Sequence, residues 1–334
     1  MYEKMKKCCF VIPYFGKLPN YFQLFLNSCK YNQDYNWLLF TDDNTKYEYP
    51  VNVKKIKISF RDFRKYFQDK FDFRIELSRP YKLCDYKPAY GYVLQEYLKG
   101  YRFWGHCDID LIFGSISNFI TDEMLDNYDK LFCLGHFIMY RNTIENNKVF
   151  MSRINGLKLF QEVFSTPNIM VFDEELRNSN NVNQIFLNEG KRVFVNDYSM
   201  NPYIFKKQFI RVRYIGCENG YSNAFVLEIP RKAVYLWQKG HVCRYFLEDN
   251  LLKEEEFLYI HLQKRQMKYN ARICNSDIVQ ILPNTFRALS EIPLGLDAFK
   301  KMKKEAFCLQ KTRLVFNSFI KRIKNNLGRL FSYN

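Results

Sequence analysis

Two aspartates, Asp108 and Asp110, stand one residue apart in the run YRFWGHCDIDLIFG (residues 101–114), whose other members are mostly apolar. Carboxylates two positions apart on an extended chain point to the same side. There they repel one another and lose hydration when buried. A divalent cation relieves both costs. Carboxylate oxygens are hard ligands that suit Mn²⁺ or Mg²⁺, and those ions in turn hold diphosphates. The plain alternative for a D-x-D is a turn cap beside a surface ion pair. The position of this one, after an aromatic strand of an α/β pattern, favours the metal–diphosphate site, because such sheets bind ligands at the carboxyl ends of their strands.

Other residues of chemical interest lie in separate segments. In KLCDYKPAYG (82–91), Asp85 and Lys87 stand just before or at a helix start. A helix N-terminus with a lysine is a natural anion site, and N-capping by Asp85 is compatible with that role. In FDEELRN (172–178), Asp173 or Glu174 offers a carboxylate able to deprotonate a hydroxyl nucleophile. An exposed acidic loop is the plain alternative, and the sequence does not choose between the two acids. His261, in YIHLQKR (259–265), precedes the basic pair Lys264 and Arg265, and a core histidine on a strand is the plain alternative to a ligand there. His106 is in phase with the two aspartates but deeper in the strand, which suits a buried structural role. His136 and His241 have no spacing that argues for a metal.

The elements that must position these residues follow from periodicity. Apolar runs at 8–14, 36–43 and 51–60 read as strands, with Phe22, Phe25, Leu26 and Cys29 at helical spacing between the first two. That is the start of an α/β sheet with mostly parallel strands and flanking helices. Pro88 suits the first turn of a helix running to about Lys99, with Gly100 just past its end. The aspartate strand follows at once. A strand pair over 130–142, an amphipathic helix over 149–164, and strands at 191–196, 223–229, 232–237 and 256–263 complete the reading.

The chain has 334 residues, is 47% hydrophobic and 18% aromatic, and carries a net charge of +16. It is long enough for a large core and too apolar to be disordered. Of that charge, +9 falls from Lys300 onward. There Phe316, Ile320, Ile323, Leu327 and Leu330 share a helical face flanked by Lys321, Arg322, Lys324 and Arg329. A basic amphipathic helix of this kind suits an anionic membrane interface, and a helix packed on the body with its basic face solvated is the alternative. The short apolar N-terminal run reads as a first strand and not a signal peptide. With no export signal, the ten scattered cysteines read as reduced thiols of a cytoplasmic protein.

Taken together, KLCDYKPAYG, FWGHCDIDLIFG, GHFIMYRN, FDEE and IHLQKRQM resemble a family of bacterial polysaccharide-biosynthesis glycosyltransferases of the GT-A fold, long described only as a domain of unknown function. The matching segments spread over residues 8–267. The resemblance implies a metal-dependent hexosyltransferase of surface polysaccharide (capsule or O-antigen) biosynthesis. It would use Mn²⁺ or Mg²⁺ and a nucleotide sugar, by default UDP-galactose or UDP-glucose, with a glycan or lipid-linked acceptor. By that resemblance Asp110 ligates the metal, Asp108 shares it or holds the donor ribose, and His261 is the third ligand. Lys264 and Arg265 neutralise the diphosphate, and Lys87 meets the diphosphate or sugar. Fold analogy places the base over Pro13, Tyr14 and Phe15, and gives Asp42 or Asp43 the uracil or ribose. An inverting enzyme would use Asp173 or Glu174 as base, whereas a retaining one would need none. The organisation expected is a catalytic domain over 1–290, with a nucleotide-binding half to about 115 and an acceptor-side half over 116–290, and a basic tail over 291–334. The enzyme is expected in the cytoplasm, in peripheral contact with the inner face of its membrane.

Two other classes share some of these features. A nucleic-acid-binding protein fits the high pI and segments such as RDFRKYF, but no RNA- or DNA-binding signature is present. A metal-dependent nucleotidyltransferase or phosphoesterase also needs paired acids, usually with more acids and histidines clustered together.

Overall fold

The run KKCCFVIP forms β1 (Lys6–Pro13), whose middle residues Cys8 to Ile12 are all buried. A strand covered on both faces needs no alternation of polar and apolar side chains, and this one has none. The structure, a computed structural model, describes residues 5–174, 180–203, 208–215, 224–263, 265–293, 295–306, 312–313, 315–317 and 319–320. A helix over Phe22–Lys30 carries the chain from β1 to β2 (Tyr35–Thr41), and β3 (Val53–Lys57) follows. β4 (Tyr101–Cys107) returns to the other side of β1. The short β5 (Leu111–Phe113) comes next, then β6 (Lys130–Leu131), β7 (Phe137–Arg141), β8 (Val193–Phe194) and β9 (Ser199–Met200).

The main sheet has seven strands in the order β3-β2-β1-β4-β7-β6-β8. Strands β3, β2, β1 and β4 are parallel, and β7 runs antiparallel to both β4 and β6. Because β2 and β4 flank β1 on opposite sides, the strand order reverses there, and sheets of this kind bind ligands outside the carboxyl ends of the strands at such a point. The aromatic content is spent on the two faces of this sheet. Phe10 stacks with Trp37 and packs on Phe113 and Phe137 on one side, while Phe40, Phe63, Trp104 and Tyr140 build the other. Phe63 and Phe67, the phenylalanines of RDFRKYF that could have stacked bases, are wholly buried here.

The C-terminal part is antiparallel. A hairpin pairs β10 (Val212–Ile215) with β11 (Ala224–Leu227). Then come β12 (Ala233–Gln238), β13 (His241–Glu248) and β14 (Leu251–Phe257). Two-residue turns at Lys239-Gly240 and Asp249-Asn250, all with positive φ, join these three. β15 (Tyr259–His261) leaves that sheet and lies between β5 and β9, while β16 (Ile278–Leu282) and β17 (Thr285–Leu289) rejoin it in the order β14-β13-β12-β16-β17. No described helix is long and apolar enough to cross a membrane.

Three elements differ from the sequence expectation. The helix expected from Pro88 to Lys99 is a chain of single turns over Pro80–Lys82, Leu83–Tyr86, Lys87–Ala89, Tyr90–Val93 and Gln95–Leu98. Pro88 has no N–H to donate, and Gly91 is pressed so closely on Trp104 that a Cβ there would lie 2.1 Å from its Nε1. The helix expected over 149–164 is split into a turn at Asn146–Met151 and a helix at Leu159–Ser165, because Asn155 and Gly156 both take positive φ. The strand expected over 256–263 is two strands in two sheets.

The first part of the basic tail packs on the antiparallel sheet. Phe299, on the short helix Leu296–Lys301, is buried with Val234, Leu236, Cys243 and Tyr245, and Gln280 donates to the carbonyl of Lys303. Farther on, Phe316 is exposed and Ile320 half-buried. Ile323, Leu327, Leu330 and the basic residues from Lys321 to Arg329 lie outside the described residues.

Candidate metal centre

β4 ends at Cys107, and the chain turns through Asp108-Ile109-Asp110 before β5 begins. The two aspartates therefore share a side by virtue of a turn, not an extended strand. The peptide N–H of Asp108 donates to the carbonyl of His136 at 3.0 Å, tying the turn to the start of β7. β15 pairs antiparallel with β5 and sets His261 opposite Leu111, while the N–H of Leu262 reaches the Asp110 carbonyl at 2.8 Å. Two hydrogen-bonded connections thus bring a late histidine to the aspartate turn. Oxygens of Asp108 and Asp110 and a nitrogen of His261 all lie within 4.8 Å of one another. His261 Nε2 is 3.4 Å from Asp110 Oδ1. Burial works against the His261 imidazolium, but Asp110, Asp108 and Glu174 outweigh it, so its pKa ends above the usual histidine value. Two carboxylates and one imidazole are a fitting donor set for Mn²⁺.

Behind the aspartates stands Lys87. Its Nζ lies 3.0 Å from Asp108 Oδ1, 2.7 Å from the carbonyl of Gly135 and 3.2 Å from Asp173 Oδ2. An ammonium has three N–H donors, and these three acceptors use them all. Lys87 therefore does not offer a free cation to a diphosphate, as the sequence suggested, but holds two carboxylates in place. Burial disfavours its charge, yet Asp108 and Asp173 raise its pKa well above the ordinary lysine value. Asp173 is buried beneath it. Burial pushes the Asp173 carboxyl up, Lys87 pulls it down, and Glu174 and Asp108 add to the rise, leaving it at about 7. Glu174 is half-buried and accepts from the N–H of Gly135 at 3.2 Å. Gly135 must be glycine here, since a Cβ would come within 2.5 Å of Asp173 Oδ2.

The remaining sequence candidates divide into two groups. Pro13 closes β1 and Tyr14 follows it, and Asp42 and Asp43 follow β2, all at the carboxyl ends of these parallel strands. The hydroxyl of Tyr14 has a raised pKa from burial and from the nearby Asp110 and Asp43. Asp42 accepts from the N–H of Gly16 at 2.7 Å, and Asp43 from those of Leu18 and Thr45 at 3.0 and 2.6 Å, so both acids shape the loop after β1. Phe15, by contrast, turns its ring between Phe60 and Phe63, into the hydrophobic layer.

Asp85 and Arg265 are also elsewhere. Asp85 is fully buried against Lys82 at 2.8 Å, and its oxygens accept from the N–H groups of Met170 and Phe172. It does not cap a helix; it pins the segment that carries Asp173. Arg265 is buried, donating to the carbonyls of Tyr203 and Pro283 with its guanidinium over Phe209, which leaves it unsuited to meet a diphosphate. Lys264 lies outside the described residues. His106 is a core residue among Tyr90 and Tyr140, and His241 bonds Glu256 at 2.8 Å in the antiparallel sheet.

Sequence reasoning gave no role to His136, which packs directly on His261, nor to Lys82. The one signal for His136 was its place in GHFIMYRN, a segment singled out for another reason.

A family model described as a family of unknown function, DUF6625, matches residues 10–290. No curated protein matches. Among solved structures, the galactosyltransferase LgtC in complex with donor and acceptor sugar analogs is similar at 10% identity and a TM-score of 0.32, covering 58% of this chain and 76% of that one. An active-site mutant of LgtC, Q189E, is similar at 12% identity and a TM-score of 0.29, covering 58% and 75%. Likeness of this degree does not bear on activity.

Proposed function

We propose an activity for a chain that belongs to the DUF6625 family: metal-dependent transfer of a hexose from a nucleotide sugar, by default UDP-galactose or UDP-glucose, to a glycan or lipid-linked acceptor of a surface polysaccharide. The observation that carries this reading is the convergence of Asp108, Asp110 and His261 at the carboxyl end of β4, where an α/β sheet of this strand order binds ligands. Their donor atoms fit Mn²⁺ or Mg²⁺, and the motifs around them are those of the glycosyltransferase resemblance. A cation bound there would hold the donor's diphosphate and neutralise the charge that develops on it as the sugar leaves.

The protein's own groups have distinct tasks. Tyr14, with the loop fixed by Asp42 and Asp43, lines the place for the nucleoside. Lys87 holds Asp108 toward the cation site and, on its other side, Asp173. For an inverting enzyme the base falls to Glu174, which is more accessible than Asp173 and takes the acceptor's proton on a carboxylate oxygen. Residues 1–290 form the catalytic part in this reading. The tail from 291 adds reversible contact with an anionic membrane, a role that the exposed Phe316 and Phe319 suit.

The test is thermal unfolding with UDP, with Mn²⁺ and with both, followed by donor hydrolysis over a panel of nucleotide sugars. Stabilisation only when both are present supports the reading. Equal stabilisation by unrelated nucleic acid, or hydrolysis of simple phosphodiesters, would replace it. Since Phe299 and Lys303 pack on the sheet, a truncation testing the tail should end after residue 306. It is expected to keep donor hydrolysis and to lose co-sedimentation with anionic liposomes at low salt.

A further inference from the structure

We infer that His136 is a positioning residue of the metal centre, its ring setting the orientation of His261. The inference rests on the metal reading above. His136 stands just before β7, next to the pair Cys107–Phe137 that joins β7 to β4. Its carbonyl takes the N–H of Asp108, so its backbone is fixed relative to the aspartate turn. Its ring lies face to face on that of His261, with centroids 4.5 Å apart and planes 29° apart, and edge-on to Tyr259 at 5.6 Å. Tyr259 and His261 are two apart on β15 and so share a face. His136 is wedged against that face and is 6% exposed.

One residue thus touches two of the three candidate ligands by different means: Asp108 through the main chain, His261 through the ring. The arrangement addresses a weakness of the centre. β15 is only three residues long, and His261 is its last residue. A ligand free to rotate loses affinity for the ion. The stacked ring limits that freedom. Stacking also explains why the contact is built from an aromatic ring and not from a hydrogen bond. The Nε2 of His136 is buried with no hydrogen-bond partner among the described residues, so that atom does not hold the residue in place.

The prediction is specific to the ring. In the full-length protein, Mn²⁺ affinity is measured directly by calorimetry or from the electron paramagnetic resonance signal of free Mn²⁺, with the unfolding midpoint recorded alongside. His136→Ala should weaken Mn²⁺ binding about tenfold or more, as loss of a group that orients a ligand commonly does. His136→Phe, which keeps a flat ring and sacrifices no Nε2 bond, should bind Mn²⁺ close to the wild type. His136→Gln, which keeps bulk and polarity without a ring, should behave like the alanine variant and serves in its place if His136→Ala does not fold. Wild-type affinity in folded His136→Ala or His136→Gln would overturn the inference. So would a loss in His136→Phe as large as in His136→Ala. Asp110→Ala separates this failure from that of the metal reading. If the wild type binds no Mn²⁺, or Asp110→Ala binds it equally well, the centre itself is misassigned and His136 falls with it.

Discussion

Two of the clusters in which the molecule buries charge are treated in opposite ways. In the antiparallel part, Arg244 bonds Glu228 at 2.6 Å and also Glu255, and Arg211 lies 3.4 Å from Glu255 and 4.0 Å from Glu228. Two guanidiniums face two carboxylates, and the register places Arg244 directly across from Glu255 on β13 and β14. At the aspartate turn, Lys87 is the cation among Asp108, Asp173 and the neighbouring Asp110 and Glu174, with His261 against Asp110. The first cluster is balanced within itself. The second carries more negative than positive charge in a partly desolvated site, a state that a bound cation relieves. Buried ion pairs as such therefore say little about function here; the residual sign of the cluster is what points to a ligand.

The largest expected effect tests that contrast at its centre. Asp110→Ala should abolish Mn²⁺-dependent UDP binding and transfer, yet leave the unfolding midpoint unchanged or higher, because a repelling carboxylate is gone. Unaltered Mn²⁺-dependent affinity for UDP, read by calorimetry, would remove the metal assignment. The same kind of change in the balanced cluster should do the reverse. Arg244→Met leaves Glu228 and Glu255 to share Arg211 alone, at 4.0 and 3.4 Å, and should cost about 3 kcal/mol in urea unfolding while the folded fraction binds Mn²⁺ as before. If Arg244→Met is as stable as the wild type, the two clusters do not differ as described.

Smaller effects sharpen the picture. His261→Ala removes one ligand of three, and the Mn²⁺ concentration needed for half-maximal activity should rise about tenfold or more. A protein that instead melts far lower with an unchanged metal titration would make His261 a core residue. Asp173→Asn should give the smallest change, a matter of a few degrees and dependent on pH. The folded carboxyl titrates at about 7 against an ordinary value of 3.8, so the folded chain holds this proton more tightly than the unfolded one. Stability is then lost as pH rises from about 4 through about 7. Asparagine does not titrate, and its advantage in melting temperature should grow from pH 5 to pH 8 in the presence of EDTA. A difference that stays constant over that range would contradict the raised pKa.

What could be read from the chain follows the same division. β1 and β2 announce themselves because both of their faces are buried and their centres, CCFVI and WLLF, are continuously apolar. Strands β13 and β14 carry Arg244 and Glu255 inside the sheet, paired with each other across the strands in a way that no local pattern displays. A segment such as LLKEEEF looks like a solvated turn until its partner strand is known. At the site, residue chemistry and resemblance point to Asp108, Asp110 and His261, and the structure brings these three together. The sequence erred on Lys87, Asp85 and Arg265 for one reason. A charged residue's availability depends on what fills its hydrogen bonds, and Gly135, Met170, Phe172, Tyr203 and Pro283 are far from those residues along the chain. His136 was overlooked because stacking leaves no trace in spacing.

The pairing of β15 with β5 also dictates an order of events during synthesis. His261 meets Leu111 across 150 positions of chain, whereas β1, β2 and β3 find each other within the first 57 residues. Contacts so distant form late, because loop closure must precede any gain from them. A nascent chain can therefore complete its first parallel strands while the ribosome is still far from residue 261, and during that interval the two aspartates lack the imidazole. A prematurely terminated product lacking β15 would keep the aspartate turn without its histidine. The three candidate ligands therefore come together only in a chain translated past its antiparallel crossing.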